Sequence, residues 1–512
     1  MATATGAPVR QHRAPRAAAT VPLGAARLLR VELRRNAMPW ILPLIAALFW
    51  FDSYRPSTGT APLYALRTFW NMGQGHTIID FGPFVAGVAA WMGSRDGRRG
   101  LADLVTATAR PRWAAQLTTW AATAIWAVAA YLVFVGVMFA VYAYQGVGGT
   151  PPWWWVADGA TAVTAFSAAG FAVGAYWPSR FAAPVAAFGG FLAMAMSSQT
   201  GFRHTSGWAL ILPTNSNGNF DQADAGIFYP WLPDLPIARI MFLGGIAVAA
   251  LGLAGLPARA GGQWLRRAAA VITLAGVALA GTALGLASTA RPSAHGMVIP
   301  AVHDAANDTP ITYTPVCGHA AGVPVCLNPA YRPWLPDMTA ALAPVLTEVA
   351  GLPGAPVRAT QVAAAYPSGD GGPPQAITLS GHPPVLRMSL GSLDLPGPCG
   401  FCDGPVATRQ FAGQTRLAFA QAFTGAGNGS GSPAQQAVQA ALLRGAGIPF
   451  AAQQKLMASA RNGPGPAPGP ATGPVYAAAR RLATMPAAAR HAWLAAHLAA
   501  LRAGQLSLTD LP

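Results

Sequence analysis

Long apolar runs separated by short polar segments fill the first 290 residues of the chain. A transmembrane helix needs about 20 predominantly apolar residues, and fewer when flanking residues reach the interface. Seven runs fit this requirement: residues 37–52, 78–94, 113–144, 156–177, 181–199, 236–257 and 268–290. The pattern therefore predicts an α-helical polytopic membrane protein with about seven transmembrane helices.

The composition supports this class of protein. Hydrophobic residues make up 53% of the 512 residues and charged residues only 10%, which is too apolar for a single soluble domain. The first run, "MPWILPLIAALFWF", is about as long as the apolar part of a signal peptide. No small-residue cleavage pattern follows it, so we expect an uncleaved first span.

The distribution of arginine predicts the orientation. Sixteen arginines lie in or beside the segments on the N-terminal side of the spans, and four lie in or beside the loops on the other side. Because basic residues accumulate on the cytoplasmic side, we expect a multi-pass protein of the cell membrane with a cytoplasmic N-terminus. Everything after residue 290 is then extracellular, and that segment contains all four cysteines, where disulfides form and persist.

Three regions are expected: residues 1–36 as a cytoplasmic arm ending in an interfacial amphipathic helix, 37–290 as the transmembrane domain, and 291–512 as an extracellular disulfide-bonded domain. In the last region, strand-like "AITLS" and "VLRMSLGSL" and helical "LPDMTAALAPVLTEVAGL" predict an α+β module before a C-terminal helical segment. Cys317, Cys326, Cys399 and Cys402 allow three pairings. Local pairing, 317 with 326 and 399 with 402, is the simplest, and the connectivity stays open.

Other chemistries fit the sequence less well. The spacing of Cys399 and Cys402 is that of a redox pair, but no thioredoxin-like strand and helix surround it, so a structural disulfide is favoured. No metal-ligand pattern occurs. The net charge of +16 lies mostly beside the spans, so a membrane surface explains it and no nucleic acid partner is expected. Thirty-two arginines against one lysine are typical of a high-GC, actinobacterial-like sequence.

Three ionisable side chains lie close to the predicted spans: His76, Asp80 and Asp158. Acidic residues inside a membrane often mark an ion or substrate pathway. Both aspartates lie near the outer ends of their spans, so we expect water-accessible interfacial or capping positions, with a pathway role as the alternative. His76 and Asp80 are four residues apart and are a candidate pair.

The loop between the second and third predicted spans, "GSRDGRRGLADLVTATARPRW", is unusually charged. Within it, a short helix is predicted whose apolar stripe consists of Leu101, Leu104, Val105 and Thr108. Arginines before and after the stripe would surround this apolar centre with a basic rim, as in a docking surface.

This loop, with the basic interfacial helix and span before it, resembles the permease subunit of an ABC transporter of the type-2 exporter family over residues 20–257. The residues that match the family's coupling-helix motif are Arg98, Arg99, Gly100, Leu101, Leu104, Thr108, Arg110, Pro111 and Arg112. The resemblance implies that Arg98, Arg99, Leu101, Leu104, Val105, Thr108 and Arg110 dock an ATPase. A seventh span and an extracellular domain go beyond the family's usual six spans.

The resemblance also implies the function: a permease subunit that couples ATP hydrolysis on a separate ABC ATPase subunit to export. The chain has no "GxxxxGK[ST]" loop and only Lys455 as lysine, so ATP and magnesium are expected on the partner and no cofactor or enzymatic activity on this chain. A second permease copy or paralogue and the lipid bilayer complete the expected partners. The alternative is a membrane-tethered extracellular binding or scaffold protein without transport activity.

Overall fold

The computed structural model describes fourteen stretches of the chain. They are residues 21–53, 81–100, 112–144, 149–201, 207, 211–212, 226–256, 262–293, 296–363, 376–390, 393, 404–426, 431–459 and 473–512.

The described residues up to position 290 are mainly helical. The helices are α1 Val21–Arg35, α2 Met38–Ser53, α3 Phe81–Gly93, α4 Arg95–Arg98, α5 Arg112–Tyr144, α6 Trp153–Tyr176, α7 Ala182–Gly201, α8 Asp234–Gly255 and α9 Gly262–Ser288. Each predicted span overlaps one of these helices, and α1 is the predicted amphipathic helix of the N-terminal arm.

Among the described residues, four helical segments are long and apolar enough to cross a membrane: Arg112–Ala140, Trp153–Tyr176, Asp234–Gly255 and Gln263–Ser288. The other three are shorter apolar helices, Met38–Leu48, Phe81–Gly93 and Ala182–Met196. The count of seven spans therefore stays a prediction.

Helix α6 lies in backbone contact with α3. A Cβ atom at Gly170 would collide with the carbonyl oxygen of Ala86, and one at Gly174 with that of Ala90. Helices associate in lipid mainly through van der Waals packing, which small residues strengthen by letting backbones approach. The glycines on α6 thus fix how closely α3 and α6 pack.

Helix α9 packs against α8 in the same way. Gly252 on α8 lies against the backbone of Thr273, and Gly245 lies against Gly276 and Ala280 on α9. The residue numbers rise along α8 as they fall along α9, so the two helices form an antiparallel hairpin. The other face of α9 exposes large apolar side chains such as Val271 and Leu274.

The described strands form two sheets. Strands β1 Arg291–Ser293 and β2 Gly296–Val298 are an antiparallel pair; the larger sheet contains β3 Val316–Ala320, β4 Val323–Leu327, β5 Arg358–Gln361, β6 Ile377–Ser380 and β7 Val385–Met388, in the order β3-β4-β5-β7-β6. The β4/β5 and β5/β7 pairs are parallel, and the outer pairs are antiparallel. Strands β6 and β7 confirm the two predicted strand segments.

Most buried apolar residues of this region belong to one cluster, a smaller one consists of Leu417, Ala420, Leu443 and Ile448, and six helices pack with the larger sheet or with one another. They are α10 Leu335–Val349, α11 Gly404–Thr424, α12 Pro433–Gly445, α13 Phe450–Ser459, α14 Pro474–Thr484 and α15 Ala487–Arg502. The buried residues of α10 recur at helical spacing, from Met338 through Leu342 and Val345 to Val349, so one stripe faces the sheet. The predicted α10 and C-terminal helical segment are confirmed.

A disulfide joins Cys317 and Cys326, which lie opposite each other on β3 and β4. The two-residue hairpin loop between these strands, Ala321 and Gly322, has positive φ at both positions, as tight hairpins require. This confirms one of the two local pairings; Cys399 and Cys402 lie outside the described residues.

The contact between α3 and α6 generates the first testable prediction. We expect Gly174→Ala to lower stability by about 1–3 kcal/mol, because the added methyl group must displace the backbone of α3. Gly136→Ala is the matched control, since nothing lies within 4 Å of a Cβ atom there. Thermal unfolding in detergent measures both, and equal midpoints for the two variants would contradict this packing.

Candidate functional site

Helix α1 is joined to the beginning of the basic loop by a bidentate ion pair. The Nη1 and Nη2 atoms of Arg95 donate to the two carboxylate oxygens of Glu32 at 3.0 and 2.9 Å. Both side chains are mostly buried, with 21% and 12% of their surface exposed. The hydrogen bond to Glu32 raises the pKa of Arg95 above its usual value. Charge-assisted forks of this kind are strong and directional, so the pair holds the two segments in one relative position.

The corner between α1 and α2 is held against α5. The indole N–H of Trp126 donates to the carbonyl oxygen of Leu33 at 2.9 Å, and the buried amide of Asn36 donates to the hydroxyl of Thr123 at 2.9 Å. The Asn36 side chain also accepts from the Met38 N–H and so starts α2. The N-terminal helix is therefore attached to both α5 and the segment after α3.

Arg98 folds back on the preceding helix, α3. Its guanidinium lies 3.5 Å from the centre of the Trp91 ring and donates to the Trp91 carbonyl oxygen at 3.0 Å. Arg99 and Gly100 are exposed, and Gly100 has a φ of 66°, a conformation that favours glycine and ends the helical turn. The remaining predicted docking residues, Leu101, Leu104, Val105, Thr108 and Arg110, lie outside the described residues.

The ends of several helices meet beside this segment. Gly97 lies against Pro178, which follows α6, while the Trp113 indole at the start of α5 donates to the carbonyl oxygen of Leu251 near the end of α8 at 3.2 Å. The Tyr176 hydroxyl at the end of α6 donates to the carbonyl oxygen of Leu253 at 2.8 Å. We call this end of the bundle the basic end. The arginines at or directly next to these helix ends are Arg95, Arg98, Arg99, Arg112 and Arg180.

A second cluster lies inside the bundle, between α6 and α8. Asp158 and Arg239 are fully buried, with an Arg239 Nη1 to Asp158 Oδ2 distance of 3.8 Å. The Arg239 guanidinium also lies 5.2 Å from the Trp155 ring centre, and the Tyr131 hydroxyl of α5 lies against Gly159. These residues bring two opposite charges into the protein interior.

The expectation that Asp158 is water-accessible is therefore wrong. Arg239 is one of the four arginines that the sequence placed in or beside the loops of the other side. It lies within α8 and supplies the countercharge to Asp158 from a different helix. His76 and Asp80 lie outside the described residues, so their pairing stays a prediction.

Several of these partners were missed in the sequence. Glu32 is the only acidic residue among the first 51 positions, and an isolated acid in a basic arm is a signal of a specific partner. No sequence signal paired Asp158 with Arg239. Among the described residues, no three His, Cys, Asp or Glu side chains are placed to hold a metal ion.

Comparison of the chain with known protein families, characterised proteins and solved structures finds no match. The function must therefore be argued from the residues and their contacts.

The buried ion pair generates the second prediction. Asp158→Ala removes the carboxylate that faces the buried Arg239, and breaking a buried pair in this way costs about 3–5 kcal/mol. Replacing both residues, Asp158→Leu with Arg239→Met, removes both charges and should restore most of the stability. Melting temperatures in detergent compare the three proteins. If Asp158→Ala has the same melting temperature as the wild type, the stability of the protein does not depend on this ion pair.

Proposed function

We propose that the chain is the permease subunit of an ATP-driven exporter in the cell membrane. A separate ATPase subunit binds ATP and magnesium, and a second permease copy or paralogue completes the transporter. The N-terminus is cytoplasmic, seven helices span the membrane, and residues 291–512 are extracellular. The resemblance of residues 98–112 to a coupling helix is the starting point of this proposal.

The observation that carries the proposal is the ion pair between Glu32 and Arg95. Arg95 begins the short turn that leads into the stripe Leu101–Thr108, and Glu32 belongs to the amphipathic helix before the first span. A segment that an ATPase pushes can transmit motion only if it is firmly connected to the helices behind it. The bidentate pair supplies that connection, and the contacts of α1 with α5 extend it into the bundle.

The arginines next to the stripe then have different roles. Arg98, stacked on Trp91, holds the end of α3 and the turn after it, whereas Arg99 is exposed and available to an acidic surface of the ATPase. Arg110 belongs to the far rim of the same docking surface. In this proposal the apolar stripe supplies the contact area and the basic rim steers the partner.

The basic end supports the proposed orientation. Helix ends from α3, α5, α6 and α8 meet there, and Arg95, Arg98, Arg112 and Arg180 belong to these ends or follow them directly. Positive residues near span ends favour the cytoplasmic side. The opposite end adjoins the C-terminal domain with its disulfide, which is consistent with an oxidising compartment outside the cell.

Copurification tests the partner. We expect a soluble ATPase with a phosphate-binding loop to copurify with the wild type and to be lost with Leu104→Arg, since a charge in the apolar stripe must be desolvated on docking. Trp264→Arg is the matched control, because it adds the same charge to a 74% exposed position near the start of α9. Absence of any associated ATPase after gentle extraction would favour the tethered binding or scaffold protein.

Changing the charges of Glu32 and Arg95 tests the connection between α1 and the basic loop. In proteoliposomes, we expect Glu32→Gln to lower transport-coupled ATP hydrolysis about fivefold, equivalent to about 1 kcal/mol for a partly exposed charge-assisted pair. The ATPase should still copurify, because the docking stripe is intact.

The control for that experiment is the exchanged pair, Glu32→Arg with Arg95→Glu, which should recover much of the loss that Arg95→Glu alone causes. Hydrolysis that is insensitive to all of these changes would show that the pair does not transmit motion.

A further inference from the structure

The C-terminal domain is attached to the start of α8 by two sets of contacts. The first is apolar: Ile227 and Phe228, which precede α8, are buried in the core of the C-terminal domain. The Phe228 ring packs edge-on against Tyr313, and the Phe228 carbonyl oxygen accepts from the N–H of Ile311 at 2.8 Å. These contacts are between aromatic rings, apolar side chains and backbone groups.

The second set of contacts is centred on Asp234, the first residue of α8. Its fully buried carboxylate accepts from the N–H of Ile299 at 2.8 Å and lies 3.1 Å from the Nδ1 atom of His303. On the other side of the same imidazole, Nε2 lies 3.1 Å from a carboxylate oxygen of Asp308. His303 therefore bridges the carboxylate of Asp234 on the candidate membrane helix α8 and the carboxylate of Asp308 in the segment that follows α9.

A carboxylate faces each ring nitrogen of His303, so both contacts are hydrogen bonds only when both nitrogens carry a hydrogen. A neutral imidazole carries one N–H group, so it donates to only one acceptor, whereas the imidazolium donates to both. The positive charge also compensates the buried charge of Asp234, which Ile299 alone does not neutralise.

The charged groups that face the ring are Asp234 from α8 and Asp308 from the 3-10 turn Ala305–Asp308. The neighbouring Asp304 points its carboxylate at the N–H of Ala306 and caps that turn.

We propose that His303 is a pH-sensitive link that holds the C-terminal domain on the first turn of α8 when its imidazole is protonated. Loss of the proton breaks one of the two bridging hydrogen bonds and leaves the apolar contacts as the main attachment. Because α8 continues to the basic end, the protonation state of His303 sets how firmly the C-terminal domain is attached to that helix. The link itself is independent of transport; its exposure to extracellular pH rests on the proposed topology.

The direction of the pH effect follows from the shift in the pKa of His303. The hydrogen bond to Asp308, together with the charge of Asp234, raises the pKa of His303. A raised pKa means that the stabilisation is complete below the ordinary histidine pKa of about 6.5 and is lost as the pH rises through the raised value.

Titration of the full-length protein in detergent tests the proposal directly. With histidines labelled at Cε1 with carbon-13, one resonance that is absent from His303→Gln should titrate at higher pH than the exposed histidines. Asp308→Asn should move that midpoint downward; its side chain is 45% exposed, so this variant should fold. A His303 resonance that titrates with the exposed histidines, or that ignores Asp308→Asn, would overturn the proposal.

Thermal unfolding supplies the second measurement. The wild type should melt several degrees above His303→Gln at mildly acidic pH, and the gap should close as the solution becomes alkaline. His319→Gln is the matched control, because His319 is an exposed histidine of the same domain and its removal should leave the pH profile unchanged. A gap of constant size at every pH would show a purely structural contact and would also overturn the proposal.

Discussion

Close backbone contact between helices is the constraint on which the rest of the structure depends. Where lipid replaces water, apolar side chains gain little by facing each other, so helices must associate through packing and buried polar contacts. Gly170 and Gly174 bring α6 against α3, and Gly245 and Gly252 bring α9 against α8. Asp158 of α6 and Arg239 of α8 then pair between two helices that are each packed in this way.

Helix α8 connects the features that the structure brings together. Its first residue, Asp234, contacts the segment that leads into the C-terminal domain, and Arg239, just over one turn later, pairs with α6. Near its other end, carbonyl oxygens of α8 accept hydrogen bonds from α5 and α6. Helix α8 therefore has contacts at both ends and in between, so a displacement at the basic end or at the C-terminal domain would act on the same helix.

The parts of the fold that could be predicted are those that depend on local composition. The apolar runs located the described helices α2, α3 and α5 to α9, and the spacing in "LPDMTAALAPVLTEVAGL" located α10. Helices α2 and α7 also match their runs in length, Met38–Ser53 against 37–52 and Ala182–Gly201 against 181–199. The pairing of Cys317 with Cys326 was one of three possibilities, and the register of β3 against β4 selected it.

By itself, the sequence determined where helices form, which loops are basic and which residues match a coupling helix, because each of these properties belongs to a short stretch of chain. Only the tertiary structure decided the charge partners. Glu32 and Arg95 are 63 positions apart, and Asp234 and His303 are 69 apart. No periodicity relates residues at such separations; their contact depends on which helix faces which, and that is settled by the packing of the whole bundle.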